Sequence, residues 1–174
     1  YSLKWKKVRN ESLQNLEFPF PYREGQRKMV GSVYHSISAG RQIFIQAPTG
    51  VGKTMSTIFP AVRAVGEGKG ETIFYLTAKT ITRTVAEEAF AVLQEKGMKY
   101  KVVTITAKDK LCFMEKPECN PDACPYAKGH FDRVNDAVYE LWTSSHVYDR
   151  QTILGQAEKR QVCPFEMCLD LALW

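Results

Sequence analysis

The stretch "QIFIQAPTGVGKT", residues 42–54, limits what this chain can fold into more than any other. A short β-rich run leads into a glycine-containing loop, and helical spacing follows at once. That order is the context in which a phosphate loop works. Backbone N–H groups of Gly50, Val51, Gly52 and Lys53 can ring a phosphate at the helix N-terminus. Glycine lets the backbone approach without a Cβ clash. Lys53 suits the β- and γ-phosphates of a nucleotide such as ATP, and Thr54 suits Mg2+. Pro48 and Thr49 complete the loop, and Ala47 stands where the general motif has Gly.

The flanks extend the pattern. Met29, Val30, Val33, Tyr34 and Ile37 recur at helical spacing, which predicts a helix from Glu24 to Ala39. Strands are predicted over 42–46, 71–77 and 100–106, with helices from Lys53 to Val65 and from Thr82 to Glu95 between them. Thr84 and Glu87 have capping-box spacing at the start of the second helix. Strand–helix–strand–helix–strand is the signature of an α/β fold with a parallel sheet and crossover helices. Residues 1–19 read as a polar lead-in, with Lys4, Lys6, Lys7 and Arg9 on a solvated basic segment.

Two short segments join the phosphate loop. In "YREGQRKM", Arg23 and Gln26 precede it by about twenty residues, and Gln can meet both donor and acceptor on an adenine edge. In "YLTAKTITRT", Thr77, Lys79, Thr80 and Arg83 sit at a strand end and helix start. Hydroxyls, cations and helix N–H groups there suit nucleic-acid phosphates; a plain capped helix start is the other reading.

Beyond Lys108 the alternation gives way to cysteine, proline and charge. Helices are expected over His130–Ser144, over Arg150–Gln161 and from near Phe165. The five cysteines are spaced C-x6-C-x4-C-x38-C-x4-C. No signal peptide opens the chain and no apolar run approaches the ~18 residues of a membrane span. A reducing, cytoplasmic setting is expected, where clustered cysteines read as ligands before disulfides. Four thiolates can hold a zinc ion or a [4Fe–4S] cluster, and buried thiols without a ligand are a third reading. Cys163, before Pro164, competes with Cys168 for the fourth place. Cys168 falls at a helical position among Phe165, Leu169 and Leu171, where a core role fits.

Taken in order, the Gln26 element, "APTGVGKT", "YLTAKT" and cysteines after a third strand resemble the N-terminal part of superfamily 2 helicases of the XPD/DinG type. "Leu111-Cys112" and "Cys163-Pro164-Phe165" match the contexts of that family's first and last cluster ligands. The resemblance implies a RecA-like P-loop sheet with helices on both faces, over 20–107. It implies a mostly helical iron–sulfur insertion over 108–170, with a return to the motor at 171–174. It implies Cys112, Cys119, Cys124 and Cys163 as [4Fe–4S] ligands, leaving out Cys168. The implied activity is ATP-dependent unwinding of DNA, 5′ to 3′ on single strands, by a monomeric motor acting on forked DNA in repair or replication.

A net charge of +5 fits a polyanion partner without requiring one. Lys128, His130, Phe131 and Arg133 are further candidates for DNA contact. With few apolar positions, the insertion is expected to lean on its cluster in place of a core. The resemblance stops short in one respect. No "DEAH" box occurs in the 174 residues, so Mg2+ and the attacking water lack their acid, and no turnover of ATP is expected from these residues alone. The chain reads as a piece of a longer motor. Other classes with the same motifs are an RNA helicase, a protein-moving translocase and a zinc-stabilised nucleic-acid-binding module.

Overall fold

The structure, a computed structural model, describes residues 2–78 and 80–173. Lys79 and Trp174 lie outside the described residues, as does the side chain of Thr80. The chain forms two compact units, residues 1–100 and 101–174.

In the first unit, α1 (Ser2–Gln14), α2 (Gln26–Ser38) and α4 (Thr80–Glu95) all pack against α3 (Lys53–Gly66). A helix covered from several sides needs apolar residues around most of its circumference. In α3 these are Met55, Ile58, Phe59, Val62, Ala64 and Val65, all buried. The basic lead-in is itself helical, and Leu13 and Leu16 at its inner end are fully buried. Gln14 Nε2 donates to the Gly66 carbonyl at 2.6 Å, and Arg63 donates to the Gln14 and Leu16 carbonyls at 2.5 and 2.9 Å. A Cβ at Gly66 would stand 2.6 Å from Leu13 Cβ, so α1 and α3 meet where only glycine fits. Lys6 pairs with Glu71 at 2.5 Å, while Lys4 and Lys7 are exposed.

The expected parallel sheet over residues 42–106 is a correction. The described residues are mostly helical, and the sheet among them has two strands. β1 (Val102–Val103) runs parallel to β2 (Val147–Tyr148), with Val102 opposite Val147. Residues 42–46 and 71–77 belong to no ladder, and Phe44 and Leu76 are 93% and 88% exposed. β-branched composition makes a run fit to be a strand, but a strand exists only beside a neighbour at about 4.8 Å. Neither run has one among the described residues. The third predicted strand finds its partner in the second unit's 147–148, and both strands lie within residues 101–174.

The second unit adds α5 (Lys108–Leu111), α6 (His130–Ser144), α7 (Arg150–Arg160) and α8 (Pro164–Leu173). Asp149 caps α7 by accepting from Thr152 N–H at 2.8 Å. The expectation of a unit without a core does not hold. Val134, Ala137, Val138 and Leu141 on α6 close a fully apolar cluster with Tyr148, Ile153, Ala157, Val162, Met167 and Leu171. The i, i+3, i+4, i+7 spacing on α6 puts one stripe inward. Glu140, beside that stripe, ties α6 to α7 through Gln156, Lys159 and Arg160. Lys101 donates to the Trp142 and Ser145 carbonyls at the end of α6 and lies 4.2 Å from the Trp142 ring centroid. No helix among the described residues is long and apolar enough to cross a membrane.

Candidate functional site

The phosphate loop is built by glycine. Gly50 and Gly52 adopt φ of 87° and 73°, a region that strains any residue with a Cβ. Gly52 opens α3 without a side-chain cap, so the first-turn N–H groups face the loop as donors for an anion. Lys53 is exposed and donates to the carbonyls of Ala47 and Pro48 at 2.9 and 2.8 Å. The ammonium therefore sits at the mouth of the loop. Thr54 stands half-buried on the first turn of α3, and Thr49 and Val51 complete the rim.

The Arg23–Gln26 segment packs against this loop. The Arg23 guanidinium donates to the Gly50 carbonyl. Gln26 is 4% exposed, and its Oε1 accepts the Arg23 N–H at 3.0 Å. Its Nε2 lies so close to Gly52 that a Cβ there would stand 2.5 Å away. In this arrangement Gln26 braces the loop from below.

The Thr77–Arg83 segment is described in part. Thr77 is exposed, and Arg83 Nε approaches the Glu87 carboxylate at 3.6 Å, one turn along the helix. Since α4 begins at Thr80, Thr84 is inside the helix and the capping-box assignment is corrected. Glu87 serves as an i, i+4 partner instead.

In the second unit Cys112, Cys119, Cys124 and Cys163 line one apolar cavity. They reach it differently. Cys112 ends α5, and its sulfur accepts the Met114 N–H at 3.4 Å. Asn120 Oδ1 accepts the N–H groups of Asp122 and Ala123 at 3.0 and 2.9 Å, folding the loop that carries Cys119 and Cys124. Cys163 immediately precedes α8. Burial pushes its thiol pKa up, and the N–H groups of Glu166 and Phe165 partly offset this by favouring the thiolate. Cys168 lies elsewhere, in the apolar core, with its sulfur 3.8 Å from the Thr104 carbonyl.

Two side chains around the cavity were not anticipated as part of it. Lys108, one helical turn before Cys112, meets Cys119, whose sulfur raises the ammonium's pKa by hydrogen bonding and charge. The i, i+4 spacing of Lys108 and Cys112 was the available signal. Buried His130 accepts the Cys163 N–H on Nδ1 at 3.1 Å, and burial lowers its pKa. The grouping of Lys128, His130, Phe131 and Arg133 as DNA contacts is corrected in part. His130 and Arg133 are engaged within the unit, whereas Lys128 and Phe131 are exposed, Phe131 at 85%.

Comparison with known proteins decides the family. The model of the DEAD/DEAH box helicase family matches residues 23–121, more than half of the chain. The chain belongs to the DEAD/DEAH box helicase family. That family is built on a RecA-like fold, with the phosphate loop at the head of a helix as Gly52 and α3 place it here. A "probable ATP-dependent helicase" of Methanocaldococcus jannaschii is 43% identical over 47 residues, which are 26% of this chain and 7% of that relative's length. No solved structure matches significantly.

Set in that family, the phosphate loop supplies backbone N–H donors, one ammonium and one hydroxyl, the donor set that holds a nucleoside triphosphate with Mg2+. The cysteine cavity supplies four sulfur donors in an apolar shell. Among the described residues no three His, Cys, Asp or Glu side chains form a group that could hold a metal ion. A single zinc draws every ligand to about 2.3 Å from one point.

Proposed function

We propose that the chain is part of the first motor domain of an ATP-dependent DNA helicase of the iron–sulfur class. The observation that carries this reading is that Cys112, Cys119, Cys124 and Cys163 all line one apolar cavity while Cys168 joins the core. Arg23, Gln26 and residues 47–54 bind the nucleotide, with Lys53 on its phosphates and Thr54 on Mg2+. Thr77, Lys79, Thr80 and Arg83 contact the single-stranded DNA backbone. Exposed Phe131 and Lys128 add a ring for stacking and a cation beside the cysteine pocket.

Cys112, Cys119, Cys124 and Cys163 would hold the cluster. When bound, it supplies a rigid four-point tie between the 112–129 loop and the start of α8. The motor works on single-stranded and forked DNA in the cytoplasm, as a monomer, stepping 5′ to 3′. These residues alone, lacking an acidic "DEAH" box, do not turn ATP over. Strand displacement by the full-length protein on matched DNA and RNA duplexes tests the substrate. Unwinding of DNA supports the reading, and activity confined to RNA overturns it.

A further inference from the structure

The cavity is assembled from two stretches of chain. The loop 112–129 brings three cysteines and runs into α6, while Cys163 arrives after α7 has returned. Something must hold the loop's exit against the approach to Cys163. Two residues of α6's first turn do so.

We propose that His130 and Arg133 are positioning residues that assemble the four-cysteine pocket before any cofactor enters it. The inference rests on the reading of those cysteines as cluster ligands, but concerns the protein without its cluster.

His130 is 4% exposed, and its Nδ1 accepts the main-chain N–H of Cys163 at 3.1 Å. That bond requires an unprotonated Nδ1, so the neutral ring carries its hydrogen on Nε2. It fixes the backbone of the fourth cysteine where it borders the cavity that the other three also line. Arg133 grips both stretches at once. Nη2 donates to the Lys128 carbonyl at 2.7 Å, at the loop's exit, and to the Gln161 carbonyl at 2.5 Å. Nε donates to the Arg160 carbonyl at 3.1 Å. Only a planar fork reaches three carbonyls in this way.

The backbone around the fork agrees. Gly129 has φ of 66°, and a Cβ there would stand 2.5 Å from Arg133 Nη1. Gln161, the one non-glycine residue at positive φ among the described residues, has φ of 52°. A left-handed non-glycine residue persists where its surroundings over-determine it, and the Gln161 carbonyl is one of the three that Arg133 holds. None of these contacts involves a sulfur atom, so they stand without iron.

The test uses the metal-free 174-residue chain, reduced under argon, and dibromobimane, which joins two thiols only when they are close together. Mass spectrometry reads the joined pair. The wild type is expected to link Cys163 to a loop cysteine. His130→Leu and Arg133→Met should cut that yield about tenfold, the scale of losing an outer-shell partner at a metal site. His130→Asn, which returns an acceptor near the Nδ1 position, should restore it. Equal linking in the wild type and in folded Leu and Met variants overturns the proposal. So does an Asn variant that links no better than Leu, since a merely structural role gives a buried amide no advantage over leucine.

If the Leu and Met variants fail to fold, hydrogen exchange in the wild type decides. A slowly exchanging Cys163 amide is expected, and one exchanging at the rate of the exposed loop overturns the proposal. Reconstitution of the same wild-type sample with ferrous iron and sulfide separates the two readings. Cross-linking as expected without uptake of iron leaves the positioning intact and sinks the cluster.

Discussion

Lys53 turns its ammonium back onto its own loop, 2.8 Å from the carbonyl oxygen of Pro48. A phosphate entering the loop offers that cation a charged acceptor in exchange for a neutral one. Lys53→Ala leaves the loop's glycine geometry intact and removes the charge. Nucleotide turnover by the intact motor is expected to fall by about a hundredfold or more, the scale of losing one preorganised donor. Retained turnover in a steady-state phosphate-release assay would contradict the assignment.

Gly66 and Gly155 are both helical, and alanine should act on them with opposite sign. In a helix interior alanine is favoured over glycine by about 1 kcal/mol. At Gly155 in α7 nothing lies within 4 Å of the added Cβ, so Gly155→Ala should raise Tm by a few degrees. At Gly66 the Cβ would meet Leu13 Cβ at 2.6 Å and the Gln14 nitrogen at 3.1 Å. Gly66→Ala should therefore cost about 1–3 kcal/mol, the usual range for overpacking. Thermal melts of both variants check this, and a stabilised Gly66→Ala would undo the docking of α1 on α3.

Glu140 gives the second unit an acid sensitivity. Lys159, Gln156 and Arg160 together hold its carboxyl at about 2, below the ordinary 4.5. The unfolded chain takes up this proton first as pH falls. The group's stabilisation is thus complete above 4.5 and is lost as pH drops from 4.5 toward 2. Urea midpoints of wild type and Glu140→Gln across that window provide the measurement. The variant should be less stable at neutral pH, and the difference should close toward pH 2. A constant gap would contradict the role of the ion pairs.

Cys163 and Cys168 differ by five positions and by surroundings. Cys163→Ser should lose bound iron. Cys168→Ser should keep it while losing about 1–3 kcal/mol, because its hydroxyl enters an apolar core. Iron analysis and urea denaturation on the two variants tell them apart, and the reverse pattern would exchange the ligands.

How far the sequence carried depended on how local the cause was. Helix periodicity placed α3 and α6 to within a residue of their observed ends, because burial of one face is written at fixed spacing. The phosphate loop was legible for the same reason: Gly50 and Gly52 take the positive φ that only glycine takes easily. Cys168 was separable from Cys163 by its place in a helical pattern. The strands expected over 42–46 and 71–77 join no ladder, since a strand is made by its neighbour as much as by its own residues. The roles of His130 and Arg133 were not legible, because their partners are main-chain groups about thirty residues away and carry no side-chain signature. The apolar core of the second unit was underestimated because Val134, Val138 and Leu141 are few in number but fully committed to one face.

The central claim is that four cysteines from two stretches of chain hold one iron–sulfur cluster in a DEAD/DEAH box motor. Iron, sulfide and zinc content of the chain purified without oxygen tests it most directly. The account predicts a brown protein with iron and acid-labile sulfide in equal amounts, both lost in Cys163→Ser. A colourless protein with a single zinc and no sulfide would contradict it.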